Sequence, residues 1–222
     1  MYKRQILNQY EPVPEIVTPG DMAAPPSDAI ILFDGKDLNE WVNGKGEVPG
    51  WLVEDGAMTV QKKAGDIFSR QEFGDIQLHI EGRTPAVVEG EGQGRGNSGV
   101  FLMNEFEVQV LDSYENETYV NGQAGSIYKQ SPPLVNACRP PGEWQSYDIV
   151  FMAPVFTDKG DLKVPATITV FHNGVLIQNH FQIRGDTPHN RFPKYSGKVK
   201  GPIRLQDHSN PTSFRNIWVR EL

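Results

Sequence analysis

The sequence of 222 residues holds one cysteine, Cys138, so no internal disulfide can form and a cysteine-built metal cage is excluded. No run of about 18 apolar residues occurs, which excludes a membrane-spanning helix. There is no His-x-x-x-His pair, calcium loop, P-loop or nucleophile elbow, so no motif calls for a metal or another cofactor. Positive charge is scarce: 21 Lys and Arg against 28 Asp and Glu give a net charge of −7, the wrong sign for a nucleic-acid binder. No segment sustains a helical apolar period over three turns, and no fixed-period repeat suggests a propeller or solenoid. The opening MYKRQILNQY lacks an apolar signal core and reads as a truncated or non-native start, compatible with a lost export signal.

What the chain has in quantity is turn formers and aromatics: 22 Gly, 17 Pro, 11 Phe, 7 Tyr and 4 Trp. Five prolines (12, 14, 19, 25 and 26) fall within residues 1–28, which read as an extended arm or linker. Residues 29–222 read as one domain with one core. Short apolar runs follow one another there: AIILF (29–33), WLVEDGAMTV (51–60) turning at Asp55-Gly56, and DIQLHIE (75–81). SGVFLM (98–103) and FEVQVL (106–111) form a pair expected to turn at Asn104-Glu105. YDIVFMA (147–153), ATITVFHNGVLI (166–177) turning at Asn173-Gly174, PIRLQ (202–206) and FRNIWV (214–219) complete the series. Strands at this spacing with no helices between them predict an antiparallel all-β sandwich.

Three stretches are too long for simple turns: 89–99, 130–144 and 182–201. The first contains Gly94-Arg95-Gly96-Asn97-Ser98-Gly99, a G-x-G-x-x-G match that leads into a strand rather than a helix, so a dinucleotide site is rejected on context. Just beyond it, period-2 alternation sets Glu107 and Gln109 on the face opposite Val108 and Val110, with Asp112 on the apolar side unless a bulge re-aims it. Laminarinase-type retaining β-glucanases have a similar strand with acids at its first, third and sixth positions. Here those positions hold Glu107, Gln109 and Asp112. His208 ends the PIRLQ strand and suits proton transfer, although a histidine in a turn more commonly caps backbone groups. His79, His172, His180 and His189 have weaker claims, and Trp41, Trp51, Trp144 and Trp218 are candidates for a sugar-stacking platform. The second half is mildly basic, with Arg184, Arg191, Lys194, Lys198, Lys200 and Arg204 forming either a solvated face or an anion-accepting pocket.

Taken in order, LFDGKDLNEW (32–41), RGNSGVFL (95–102), FEVQVLDS (106–113), AGSIYKQSPPLVNACRPPGEWQSYDIVF (124–151), HNGVLI (172–177) and GPIRLQDHSNPTSFRNIWVREL (201–222) resemble the bacterial 3-keto-disaccharide hydrolase family. Two positions depart from its pattern: Leu102-Met103 stand where members often carry a basic residue, and Gln145 follows GEW where Asn is usual. The resemblance implies a concanavalin-like jelly roll on a periplasmic or secreted protein. It also implies a glycoside substrate oxidised to a ketone at carbon 3 by a separate sugar dehydrogenase. Carried over by position, the family's polar cleft would involve Asn97, Ser98, Glu107, Gln109, Asp112, Tyr128, Arg204, Gln206 and His208. Of these we expect Glu107, His208 and Asp112 to be catalytic and Asn97, Ser98, Gln109, Tyr128, Arg204 and Gln206, with Arg95 beside them, to bind substrate. Carbon-2 deprotonation followed by elimination and hydration is the expected route, with Glu107 and His208 as base and acid. Displacement at carbon 1 by Glu107 and Asp112 is its competitor. A non-catalytic carbohydrate-binding module and an ordinary retaining β-glucanase are the alternative functions.

Overall fold

The computed structural model describes residues 12–21 and 24–222. The first eleven residues of the expected arm, and Met22-Ala23, lie outside the described residues. The strands in chain order are β1 (Ile30–Phe33), β2 (Trp41–Asn43), β3 (Leu52–Glu54), β4 (Ala57–Thr59) and β5 (Ile67–Phe73). Next come β6 (Ile76–Arg83), β7 (Ser98–Leu102), β8 (Phe106–Val110), β9 (Gln145–Met152) and β10 (Val155–Phe156). β11 (Leu162–Val164), β12 (Thr167–His172), β13 (Val175–Gln182), β14 (Gly201–Leu205) and β15 (Ser213–Glu221) follow.

Two antiparallel sheets stack as a sandwich of the jelly-roll type. One runs β13-β12-β9-β6-β15-β4-β3, with β1 also paired to β15, and the other runs β2-β5-β14-β7-β8. Alternation explains the stacking. Leu78, Ile80, Tyr147, Ile149, Phe151, Phe214 and Val219 of the first sheet are buried with Ile67, Val100, Leu102, Phe106, Val108, Ile203 and Leu205 of the second. Along β6, β9 and β14 every second residue therefore reaches the core and its neighbours face outward. Truncating one of the large rings, such as Phe106 to Ala, costs about 3–5 kcal/mol by removing contacts and leaving a cavity.

Two hairpin turns fall where the sequence puts them. Asp55-Gly56 and Asn173-Gly174 both adopt positive φ, as a two-residue primed turn requires. The β7–β8 turn differs from expectation: its positive-φ residues are Met103 and Asn104, and the Glu105 N–H closes it on the Leu102 carbonyl at 3.0 Å. Strand β5 carries no readable alternation because Ser69 takes an inward position. It survives burial because its hydroxyl donates to the Gln71 carbonyl (2.7 Å) and accepts from Ile203 N–H (2.9 Å). Trp41 and Trp51 are core residues, not a platform, and Trp41 Nε1–H donates to the Leu32 carbonyl at 2.8 Å. Before β1, Gly20, Asp21, Ala24 and Pro26 border the outer face of the larger sheet beside His79, Arg215 and Trp218, and Asp28 is clasped by the Arg220 guanidinium at 2.6–2.8 Å.

Candidate active site

The adjacent strands β14, β7 and β8 supply the floor of a polar cleft. Their even-spaced apolar residues point to the core, so Arg204, Gly99, Phe101, Glu107 and Gln109 face the other way. Register sets these into rows. Phe101 lies opposite both Arg204 and Glu107. One step along, Gly99 lies opposite Gln109 and accepts a hydrogen bond from the Gln206 N–H. A Cβ at Gly99 would stand 2.6 Å from Glu107 Oε1 and 2.8 Å from the Phe101 ring, so a larger residue there would displace both side chains.

Loops close the walls. The segment after Gly125 pairs along the free edge of β8, with Tyr128 N–H donating to the Glu107 carbonyl at 3.2 Å. Beside it, the Thr187 hydroxyl accepts from Glu107 N–H at 3.1 Å and brings His189 over the edge. Tyr128 Oη meets His189 Nδ1 at 3.0 Å and Tyr119 Oη at 2.8 Å. At the other end Gln93, Asn97 and Gln109 form an amide cluster, in which Gln109 Nε2 donates to Gln93 Oε1 (3.2 Å) and Asn97 Oδ1 (3.3 Å). The enclosed volume is about 300 Å³, lined by these residues with Phe101, Glu107, Arg204, Gln206 and His208. That is the lower end of the range of small-molecule sites, about 300–1,000 Å³. Larger hollows exist on the outer face of the other sheet, but chemistry rather than size marks this cleft.

Glu107 is 5% exposed, and no group among the described residues donates a hydrogen bond to its carboxyl. Burial lifts its pKa to about 8. Arg204 pulls it down and Asp66 adds to the rise, but burial dominates. Arg204 lies with its guanidinium carbon 3.5 Å from the centre of the Phe101 ring and Nη1 3.4 Å from Asp66, while its buried Nε–H has no partner among the described residues. Burial lowers the Arg204 pKa, with Asp66 and Glu107 opposing. Tyr128 is pushed up by burial and by its contact with Tyr119, so it stays a neutral phenol. His208 is exposed on the rim and Gln206 half-buried, and neither side chain has a hydrogen-bond partner among the described residues.

Seven of the ten residues singled out from the sequence thus meet in one cleft: Asn97, Glu107, Gln109, Tyr128, Arg204, Gln206 and His208. Three do not. Ser98 shares the parity of Val100 and Leu102, so it faces inward and donates to the Gln206 carbonyl at 2.7 Å. Arg95 turns away to bind Asp112 Oδ2 (2.6 Å) and the Tyr114 carbonyl (3.0 Å). Asp112 lies beyond the end of β8, buried in that ion pair and capping Tyr114 N–H at 3.1 Å, so it does not stand across the cleft from Glu107. Gln93, Phe101 and Thr187 line the cleft without having been named as site residues, and His189, given only a weaker claim, lines it too. Phe101 was available from parity; Thr187 and His189 lie in a loop without period.

The two departures from the family pattern also sit outside the cleft. Leu102 and Met103 are buried, and Gln145 bonds to the backbone of Arg139 and to Asn173. Trp144 and Trp218 lie away from it as well: its aromatic rings are Phe101, Tyr128 and His189. Asn116 spends its amide on Gly92 and the Asp112 carbonyl. Glu107, His189 and His208 are the metal-type donors that line the cleft, and among the described residues no group of three or more His, Cys, Asp and Glu is placed to hold a metal ion.

Comparison with known proteins finds similar chains over most of this sequence. A crystal structure of a candidate glycosyl hydrolase from Parabacteroides distasonis superposes with a TM-score of 0.94 at 53% identity, covering 99% of this chain and 97% of that one. A second candidate glycosyl hydrolase from the same organism, 22% identical, shares the fold with a TM-score of 0.64 over 88% of this chain and 94% of its own. A 3-keto-disaccharide hydrolase of Bacteroides thetaiotaomicron is 26% identical over 238 aligned positions, covering 87% of this chain and 78% of that protein. The family model described as a 3-keto-alpha-glucoside-1,2-lyase-like domain matches residues 28–220. With nearly the whole sandwich, cleft included, inside that match, the chain belongs to the 3-keto-α-glucoside-1,2-lyase-like family.

Proposed function

We propose that this protein cleaves the glycosidic bond of 3-keto-glycosides by eliminating across carbons 1 and 2 and then adding water. The observation that carries this reading is the solitary Glu107 carboxyl, desolvated to a pKa of about 8 and left without a hydrogen-bond donor of its own. A ketone at carbon 3 acidifies the hydrogen on carbon 2, and a carboxylate of raised pKa is a stronger base for it than an ordinary one. The electron pair from the C2–H bond moves into an enolate on the carbon-3 oxygen. Arg204 and Gln206, which both line the cleft, supply donors for that charge. Collapse of the enolate expels the carbon-1 substituent, and water adds to the unsaturated sugar at carbon 1 while the proton returns to carbon 2. Direct displacement would need a second carboxylate facing Glu107, and Asp112 is engaged elsewhere.

The test is turnover of 3-keto-trehalose or a methyl 3-keto-glucoside carrying deuterium at carbon 2. Loss of label to water and a primary isotope effect are expected; absence of both overturns elimination. With Glu107 as base, kcat/KM rises with pH up to about 8. The same reading assigns the ketone to an upstream sugar 3-dehydrogenase and places the protein in the periplasm or outside the cell. Fractionation of a producing bacterium checks the second point.

A further inference from the structure

Elimination needs two proton transfers at neighbouring atoms: one off carbon 2, the other onto the oxygen leaving carbon 1. The two groups must therefore stand close together, each within hydrogen-bond reach of its atom. His208 is badly placed to partner Glu107 in this. It follows β14, two strands from β8, and lies beyond the row of Gln206 and Gly99, whereas Glu107 is in the row of Arg204 and Phe101. Neighbouring strands are about 4.8 Å apart, so two strands alone put about 10 Å between the backbones. Tyr128 is the immediate neighbour of Glu107 across the edge of β8, joined by the 3.2 Å backbone hydrogen bond, and it lines the cleft.

We propose that Tyr128 gives its proton to the departing oxygen, and that the hollow bounded by Tyr128, Thr187 and His189 receives the leaving alcohol. This rests on the elimination reading. The hydroxyl is built for the task on both sides. Tyr128 Oη lies 3.0 Å from His189 Nδ1 and 2.8 Å from Tyr119 Oη. We take His189 Nδ1–H and Tyr119 O–H as the donors during the reaction, which turns the phenol's own proton to the cleft and holds the phenolate left behind. The cycle balances. Glu107 takes the carbon-2 proton, the C1–O bond breaks, and the leaving oxygen takes the proton of Tyr128. In the hydration half, water gives a proton to the Tyr128 phenolate as its oxygen bonds to carbon 1, and Glu107 returns its proton to carbon 2. Both residues finish as they began, and no other reactant is consumed.

Dependence on the leaving group separates this role from a structural one. Tyr128→Phe is assayed on methyl 3-keto-glucoside, whose alkoxide needs a proton to leave, and on the nitrophenyl 3-keto-glucoside, whose phenolate does not. The expected result is a loss of about 10²-fold in kcat/KM on the methyl substrate and less than about 5-fold on the nitrophenyl one. Turnover of the latter also certifies that the variant is folded. Tyr119→Phe and His189→Gln show the same selectivity in weaker form. Equal losses on both substrates, or no loss on either, overturn the proposal while leaving elimination standing. If the wild-type protein turns over neither keto-substrate, the reading beneath it falls and takes the proposal with it.

Discussion

The two faces of this sandwich that point away from the core carry similar residues and use them in opposite ways. On the outer face of the larger sheet, His79 stacks on Trp218 with ring centres 5.2 Å apart, its Nδ1 meets Asp148 at 2.6 Å, and its Nε2 meets Asn216 Nδ2 at 3.2 Å. Glu81 accepts from Arg215 Nε (2.6 Å) and Asn216 Nδ2 (3.0 Å), and Arg215 also packs its guanidinium 4.1 Å from the Trp144 ring centre. In the cleft, Glu107 accepts nothing at its carboxyl, His208 has no partner among the described residues, and Arg204 Nε–H is orphaned. Glu81 and Glu107 show the consequence. Burial pushes Glu81 up, but the hydrogen bonds from Asn216 and Arg215 outweigh it and hold the carboxyl below its ordinary value. Glu107 has the burial without the donors and rises to about 8. A polar group that is paired stabilises the fold; one left unpaired at a cost to the fold is available to a substrate.

The sharpest way to break this contrast is to neutralise each glutamate in turn. Glu107→Gln should lose about 10³-fold in kcat on a 3-keto-glucoside through loss of the base, while Glu81→Gln should stay within about twofold of wild type. Near-normal turnover by Glu107→Gln would remove the site from this cleft. Stability should respond in the reverse order, and with pH. The Glu107 pKa is raised on folding, so its favourable contribution is complete below about 4.5 and is lost as pH rises through about 8. Glu107→Gln should therefore gain on wild type by about 1 kcal/mol per pH unit across that window. The Glu81 pKa is lowered, so its contribution is present above about 4.5 and is lost as pH falls through its folded value. Melting temperatures of the three proteins from pH 2 to 9 check both signs.

Asp112→Asn is expected to be the largest purely structural loss, about 3 kcal/mol, because it strands Arg95 beside a neutral amide in a buried site. Turnover per folded molecule should survive. Loss of turnover in protein shown to be folded would restore Asp112 as a catalytic group.

The cleft floor was legible because strand parity is a property of the sequence itself. FEVQV and PIRLQ put Glu107, Gln109, Arg204 and Gln206 outward from alternation alone, and the same rule, applied to SGVFL, would have turned Ser98 inward and Phe101 outward. Asp112 was already on the apolar side by parity; what the sequence did not display was Arg95, 17 residues earlier, making that burial tolerable. The walls were harder to read. Thr187 meets Glu107 across 80 residues from a loop with no period, and the pairing of Tyr128 with His189 follows from that same loop closing over the β8 edge. Strand β5 escaped notice because Ser69 occupies a core-facing position where alternation demands an apolar residue.

The smallest expected effect tests whether the outer network earns its geometry. Asn216 sits at φ 47°, in a bulge of β15 between Arg215 and Trp218, where a side chain costs about 1 kcal/mol and glycine costs nothing. Replacing it with glycine removes that strain but also removes two hydrogen bonds, one to His79 and one to Glu81, each contributing about 1 kcal/mol. The bonds outweigh the strain, so Asn216→Gly should be less stable by about 1 kcal/mol, a fall of about 3 °C in melting temperature, with turnover unchanged. A rise in melting temperature would mean that the strained residue is held there for something other than stability, and the contrast between a paired, structural face and an unpaired, chemical one would no longer hold at its most ordered point.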